Sequence, residues 1–198
     1  GKTMSEPKVE IYTVKKLLTE KKLAIPVYQR PYKWATDHID KLWEDLKTFD
    51  SCDNYRLGTV VLHKNSYKDG AGPTKNKFDI VDGQQRIISL LLFIRAALAN
   101  IETKNNLRGS WSTEDELFDP EFHRASADVS LGNIKKNYEH IKNRLIKSAD
   151  AAGRLEFLAN RCEFVVVKLN ELSEAFQFFD AQNSRGKDLY PHDLLKAY

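Results

Sequence analysis

The stretch from Phe78 to Ala97, FDIVDGQQRIISLLLFIRAA, limits what this chain can fold into more than any other. A short apolar run, Phe78 to Val81, ends at Asp82-Gly83. From Gln84 the sequence is apolar on nearly every side as far as Leu98, interrupted only by Ser89 and Arg95. That pattern predicts a strand, a sharp turn and a buried helix. Asp82 suits an N-cap, and Gln85 three residues later completes a capping-box-like pair. The run is too short to cross a bilayer. Its first helical turn is chemically unusual, because Gln84, Gln85 and Arg86 bring amides and a guanidinium where acids would suit the helix dipole. Free backbone N–H groups beside two amides and an arginine suit an anion, and a capped core helix with a polar first turn is the simpler alternative.

The rest of the chain predicts an α+β domain around this unit. Val9 to Glu20 leads into a helix with Thr13 as N-cap, and Leu23 to Val27 reads as a strand. Ile25 to Trp34, IPVYQRPYKW, holds two prolines that remove N–H donors and stiffen a loop. Thr36 or Asp37 opens an amphipathic helix with Ile39, Leu42, Trp43, Leu46 and Phe49 as its buried stripe. Arg56 to His63 is a β-branched strand, and Lys64 to Lys77, with Asp69-Gly70 and Gly72-Pro73, reads as a loop closing an antiparallel hairpin onto Phe78 to Val81. Asn100 to Ser130 is mixed and loop-rich. Leu131 to Lys147 carries Ile134, Tyr138, Ile141 and Leu145 at helical spacing, with Lys135, Lys136, Lys142 and Lys147 outside. That basic face is solvated or touches phosphates. Leu155 to Asn160 is a short helix, Cys162 to Leu169 a buried strand, and Ser173 opens a helix through Phe179 that ends at Gln182 to Lys187. Pro191 to Tyr198 begins another helix and stops in mid-pattern, as a fragment of a longer protein would.

Composition narrows the function. A net charge of +3 over 198 residues indicates no general polyanion binder, so any nucleic-acid contact must come from local patches. With the basic residues lying largely on one helix, DNA binding is expected to be weak and salt-dependent. Cys52 and Cys162 stand apart and the five histidines are scattered, so no metal-ligand spacing occurs and no metal residues are assigned. Gly1-Lys2-Thr3-Met4 reads as an appended leader before a native start and lacks the upstream glycine of a phosphate loop. With neither signal peptide nor membrane span, the chain reads as cytoplasmic. No Walker, Rossmann, serine-hydrolase or zinc-protease motif occurs. What remains are three polar clusters, Tyr28 to Trp34, Asp82 to Arg86 and Asn183 to Lys196, whose shared chemistry predicts convergence on one phosphate-bearing ligand.

IPVYQRPYKW before an amphipathic helix, then YRLGTVVL, FDIVDGQQR and finally FDAQNSRGKDLYPHDLLKAY resembles, in that order, the N-terminal domain of GmrSD-type modification-dependent restriction endonucleases. The resemblance implies a ParB/sulfiredoxin-like fold: a small mixed sheet with packed helices, one domain over residues 1–198, and a variable, partly helical insert at about 100–161. It implies a domain that binds and hydrolyses a nucleoside triphosphate, with Mg²⁺ accompanying the nucleotide. That domain would control a C-terminal His-Me finger nuclease, absent here, which cuts modified foreign DNA. Carried over by position, Asp82, Gln84, Gln85 and Arg86 are the catalytic candidates. Tyr28, Gln29, Arg30, Trp34, Gly83, Asn183, Arg185, Gly186 and Lys196 are the nucleotide-binding ones, and Asp193 also matches the third motif. In this reading Arg30 and Arg86 grip phosphates, Gln84 or Gln85 orients the attacking water, and Asp82 holds the turn or takes Mg²⁺ through water. Two departures stand out: Ile88 where the family commonly has Thr, which removes a hydroxyl, and Tyr190 where Ser or Thr usually caps the last helix. The alternative is a non-enzymatic module in which the same arginines and aromatics contact DNA backbone or a modified base. An oligomer is compatible with either, and plain dimerisation is a third reading.

Overall fold

A computed structural model describes residues 7–48, 53–68, 70–107, 111, 116–122, 124, 126–174 and 177. Among them the strands are β1 (Lys8–Thr13), β2 (Leu23–Ala24), β3 (Tyr55–Lys68), β4 (Thr74–Asp82) and β5 (Cys162–Leu169). The helices are α1 (Val14–Leu18), α2 (Thr36–Thr48), α3 (Gln84–Leu98), α4 (Ile101–Asn106), α5 (Ala127–Asn143) and α6 (Ala151–Asn160). The strands form one mixed sheet in the order β1-β5-β3-β4-β2, antiparallel at β1/β5 and β3/β4 and parallel at β3/β5 and β2/β4. The expected α+β class holds.

Alternation along the central strands sorts residues to two faces. Val60, Leu62, Ile80, Phe164 and Val166 join the main core, while Val61, Val81 and Leu169 face the other way. Helix α3 lies within the main core, buried along nearly its whole length, which is why its sequence shows no polar face. Helix α2 packs Ile39, Leu42, Trp43 and Leu46 of its predicted stripe inward, with Trp43 stacked on Phe93 of α3, ring centroids 5.5 Å apart, while Phe49 lies outside the described residues. Arg154 of α6 is buried beside that stack. It lies over the Trp43 ring, donates to the Trp43 carbonyl at 3.2 Å, and pairs with Asp150 at 2.7 Å. On the opposite sheet face Tyr28, Val61, Val81 and Leu169 form a smaller cluster, and Val9 and Ile11 of β1 are exposed.

Several local expectations are corrected. Residues 64–68 and 74–77 are strand rather than loop: β3 runs on to Lys68 and β4 starts at Thr74, paired in register from Lys64↔Phe78 to Lys68↔Thr74. The expected Leu23 to Val27 strand stops at Ala24, because Pro26 has no N–H to continue a ladder. Asp82 does not cap α3, since it still belongs to β4; Gly83 takes the cap with φ 103 and no side-chain bond. Thr13 caps α1 as expected, accepting from Lys16 N at 3.1 Å. Helix α5 begins earlier than predicted, at Ala127, and Leu145–Lys147 is a turn of 3₁₀ helix.

Candidate functional site

The turn from β4 into α3 is shaped by a close approach. Gly83 sits in the left-handed region, where side chains are strained, and a Cβ there would stand 3.1 Å from the Val60 side chain. Glycine therefore lets the turn press against β3 and leaves the α3 N-terminus without a side-chain cap.

Across this turn lies the proline-stiffened loop, held by the side chains that the sequence marked. Gln29 Nε2 donates to the carbonyls of Ile80 and Val81, at 2.7 and 2.8 Å. Gln84 Nε2 donates to the Arg30 carbonyl at 2.7 Å. Gln85 makes three bonds: Oε1 accepts from Lys33 N at 2.8 Å and Trp34 N at 3.2 Å, and Nε2 donates to the Pro31 carbonyl at 3.2 Å. Instead of turning back to cap its own helix, Gln85 clasps the loop. Gln29, Gln84 and Gln85 are all buried. Loss of their hydration is offset by these bonds, apart from Gln84 Oε1, which is buried with no hydrogen-bond partner among the described residues.

A second layer fixes the loop from the far side. Tyr32 is fully buried, and its hydroxyl lies 2.8 Å from Ser89 Oγ and accepts from Asn137 Nδ2 at 2.9 Å. Ser130 Oγ accepts from Tyr32 N, Asn133 Nδ2 donates to the Tyr32 carbonyl, and Asn137 Nδ2 also donates to the Trp34 carbonyl at 2.7 Å. Burial pushes the Tyr32 hydroxyl above its ordinary pKa, against its bonds with Ser89 and Asn137, so it stays neutral. Sequence reasoning missed Tyr32, Ser89, Ser130, Asn133 and Asn137 as a group. Two signals were available: Ser89 breaks an otherwise apolar run, and Asn133 and Asn137 stand at i,i+4 beside the α5 stripe.

The remaining candidates take different places. Arg86 is partly exposed, and its Nη1 donates to the Leu57 carbonyl on β3. There β3 carries an irregularity between Arg56 and Gly58, and Gly58 has φ 147. A Cβ on Gly58 would lie 2.7 Å from Arg86 Nη1, so this glycine makes room for the guanidinium. Trp34 stacks on His38, centroids 5.5 Å apart. Tyr28 lies on the other sheet face with Val61, Val81 and Leu169. Burial and the nearby Asp79 raise its hydroxyl pKa, and the hydroxyl has no hydrogen-bond partner among the described residues. Asp79 is itself buried; loss of hydration raises its carboxyl above the ordinary 3.8, opposed by a hydrogen bond from Asn65 and by His63 and Lys77. The first two polar clusters therefore meet at the α3 turn. The third, with Asn183, Arg185, Gly186 and Lys196, lies outside the described residues.

A mixed five-stranded sheet, a glycine-led buried helix and a glutamine-clasped loop define an α+β domain whose polar residues gather at one strand-to-helix turn. The family model described as GmrSD restriction endonuclease, N-terminal domain, matches residues 14–198, and the chain belongs to that family. No curated protein matches it. Among the described residues no helix is long and apolar enough to cross a membrane.

Proposed function

We propose that this domain binds a nucleoside triphosphate at the β4–α3 turn and hydrolyses it, governing a His-Me finger nuclease domain of the same restriction system that cuts modified DNA. The observation that carries the reading is the α3 N-terminus: no side chain caps it, and the loop bearing Arg30 is fastened against its first turn. Its first-turn N–H groups, which no cap side chain engages, and the helix dipole favour phosphate oxygens, and Arg86 and Arg30 would supply the compensating charge. Phosphoryl transfer asks the protein mainly for positioning and charge neutralisation, which preset donors provide.

The described residues contain no group of three or more His, Cys, Asp or Glu able to cage a metal ion. What fits is Mg²⁺ carried by the triphosphate, with Asp82 at the end of β4 reaching it through water. When bound, the ion would neutralise phosphate charge. Gln85, with both ends of its amide engaged by the loop, is a positioning residue in this reading. Gln84, whose Oε1 has no partner among the described residues, is the amide left to orient water.

The test is calorimetric titration with each of the four NTPs, with and without Mg²⁺, followed by phosphate release. Arg86→Ala should keep the fold within about 1 kcal/mol, the net worth of its one bond to the Leu57 carbonyl, and should slow turnover on the order of a hundredfold. Lys135→Ala is the control. A normally folded Arg86→Ala protein with wild-type turnover removes this turn as the reaction centre.

A further inference from the structure

We infer that the β3–β4 ribbon, residues 64–68 and 74–77, is a docking element for double-stranded nucleic acid that straddles a groove and contacts phosphates on both sides. Beyond His63 on β3 and Phe78 on β4 no neighbouring strand among the described residues continues the pairing, so the ribbon leaves the sheet with its described residues exposed or only partly covered. Isolated two-stranded ribbons are marginal in water, and a strand rich in lysine works against β propensity. Yet pairing is kept in register to Lys68↔Thr74, with Ser66 Oγ donating to Asn76 Oδ1 at 2.8 Å and Lys77 resting over the Tyr67 ring at 4.8 Å.

The charge is concentrated. Residues 64–77 carry Lys64, Lys68, Lys75 and Lys77 against Asp69, four minus one, which equals the +3 of the whole chain. Helix α5, where basic character was expected to gather, has Lys135, Lys136 and Lys142 against Asp128 and Glu139, three minus two. Strand alternation and the register place Lys64 and Lys68 on one face of the ribbon, Lys75 and Lys77 on the other. A ribbon two strands wide fits the roughly 12 Å major groove of B-form DNA, and lysines on both faces then meet both phosphate walls. Edge lysines also discourage strand-to-strand association, and that simpler role predicts no nucleic-acid affinity. The inference is independent of the nucleotide reading, because none of these residues belongs to the α3 turn.

The experiment is fluorescence anisotropy with a labelled 20-base-pair duplex of arbitrary sequence. It compares the 198-residue chain, the variant Lys64→Ala/Lys68→Ala/Lys75→Ala/Lys77→Ala, and a control with Lys135, Lys136, Lys142 and Lys147 changed to Ala. Four phosphate contacts give a log-log salt slope of about 3.6, so wild-type affinity should fall on the order of a hundredfold between 50 and 200 mM salt. The ribbon variant should lose affinity on that scale at 50 mM and lose most of the slope, while the helix control retains both. If the fourfold variant melts early, the face pairs Lys64→Ala/Lys68→Ala and Lys75→Ala/Lys77→Ala decide, each halving the slope. Absent wild-type binding, equal loss in the helix control, or equal or tighter binding to the single strand would overturn the inference.

Discussion

Changing Gln85 to Ala tests whether the loop is held by the clasp the geometry describes. Three bonds are lost, to Lys33 N, Trp34 N and the Pro31 carbonyl, each worth about 1 kcal/mol net. Lys33 is exposed, so water can replace its partner; Trp34 is half-buried and rehydrates less completely. Alanine returns a few tenths through helix propensity. The expected loss is therefore about 2–4 kcal/mol, read from urea unfolding at an unchanged m-value. Gln84→Ala is the internal comparison. It gives up one bond to the Arg30 carbonyl and also removes a buried acceptor that had no hydrogen-bond partner among the described residues, so its cost should stay near or below about 1 kcal/mol. A Gln85→Ala protein destabilised by less than about 0.5 kcal/mol, or less than Gln84→Ala, would refute the clasp. Full stability with lost turnover would instead return Gln85 to a direct catalytic role.

Three further outcomes are expected. Because burial raises the Asp79 carboxyl above its unfolded value of 3.8, its contribution to stability is complete below that pH and lost as pH rises through the raised folded value; Asp79→Asn should therefore melt above wild type at pH 7, the two curves converging near pH 3, and a lower melting point at pH 7 would contradict this. Gly58→Ala should cost about 1–3 kcal/mol through backbone strain at φ 147 and should displace Arg86, reproducing part of the Arg86→Ala turnover defect; wild-type turnover and stability would refute the close approach. The Cys162 thiol, pushed up to about 12 mainly by burial, should resist a thiolate-specific reagent in the native protein and react on unfolding, as peptide mapping would read; native labelling would place it nearer the surface.

Elements with a wet face and a dry face were legible in the sequence: the α2 stripe from Ile39 to Leu46, and the hydrophobic marks of α5 at Ile134, Tyr138 and Ile141. Cys162 to Leu169 was also clear, because Cys162, Phe164 and Val166 alternate into the main core and Val165 and Val167 add β-branched residues on the partly covered face. The β3–β4 ribbon was not, since it is wet on both faces and carries no alternation; the turn signals at Gly70 and Gly72-Pro73 read as a loop although they mark only its tip. The capping box at Asp82 and Gln85 failed for a different reason. A local rule offered the amide its own helix start, and a loop some fifty residues upstream offered it three partners instead. The site's polar members were legible by type, and their arrangement was not, because it depends on which backbone groups the tertiary fold leaves without strand or helix partners.

The strand order also sets when this domain can fold during synthesis. Strand β1, made first, pairs with β5, and β5 completes the parallel edge of β3. Until Leu169 has cleared the ribosome, β1 has no strand partner among the described residues and one side of β3 lacks β5, although the β3–β4 hairpin and α3 can already associate. A nascent chain thus holds an early strand waiting for a late one, and that interval is when a chaperone, or a second nascent copy offering its own β5, has access to the unfinished sheet.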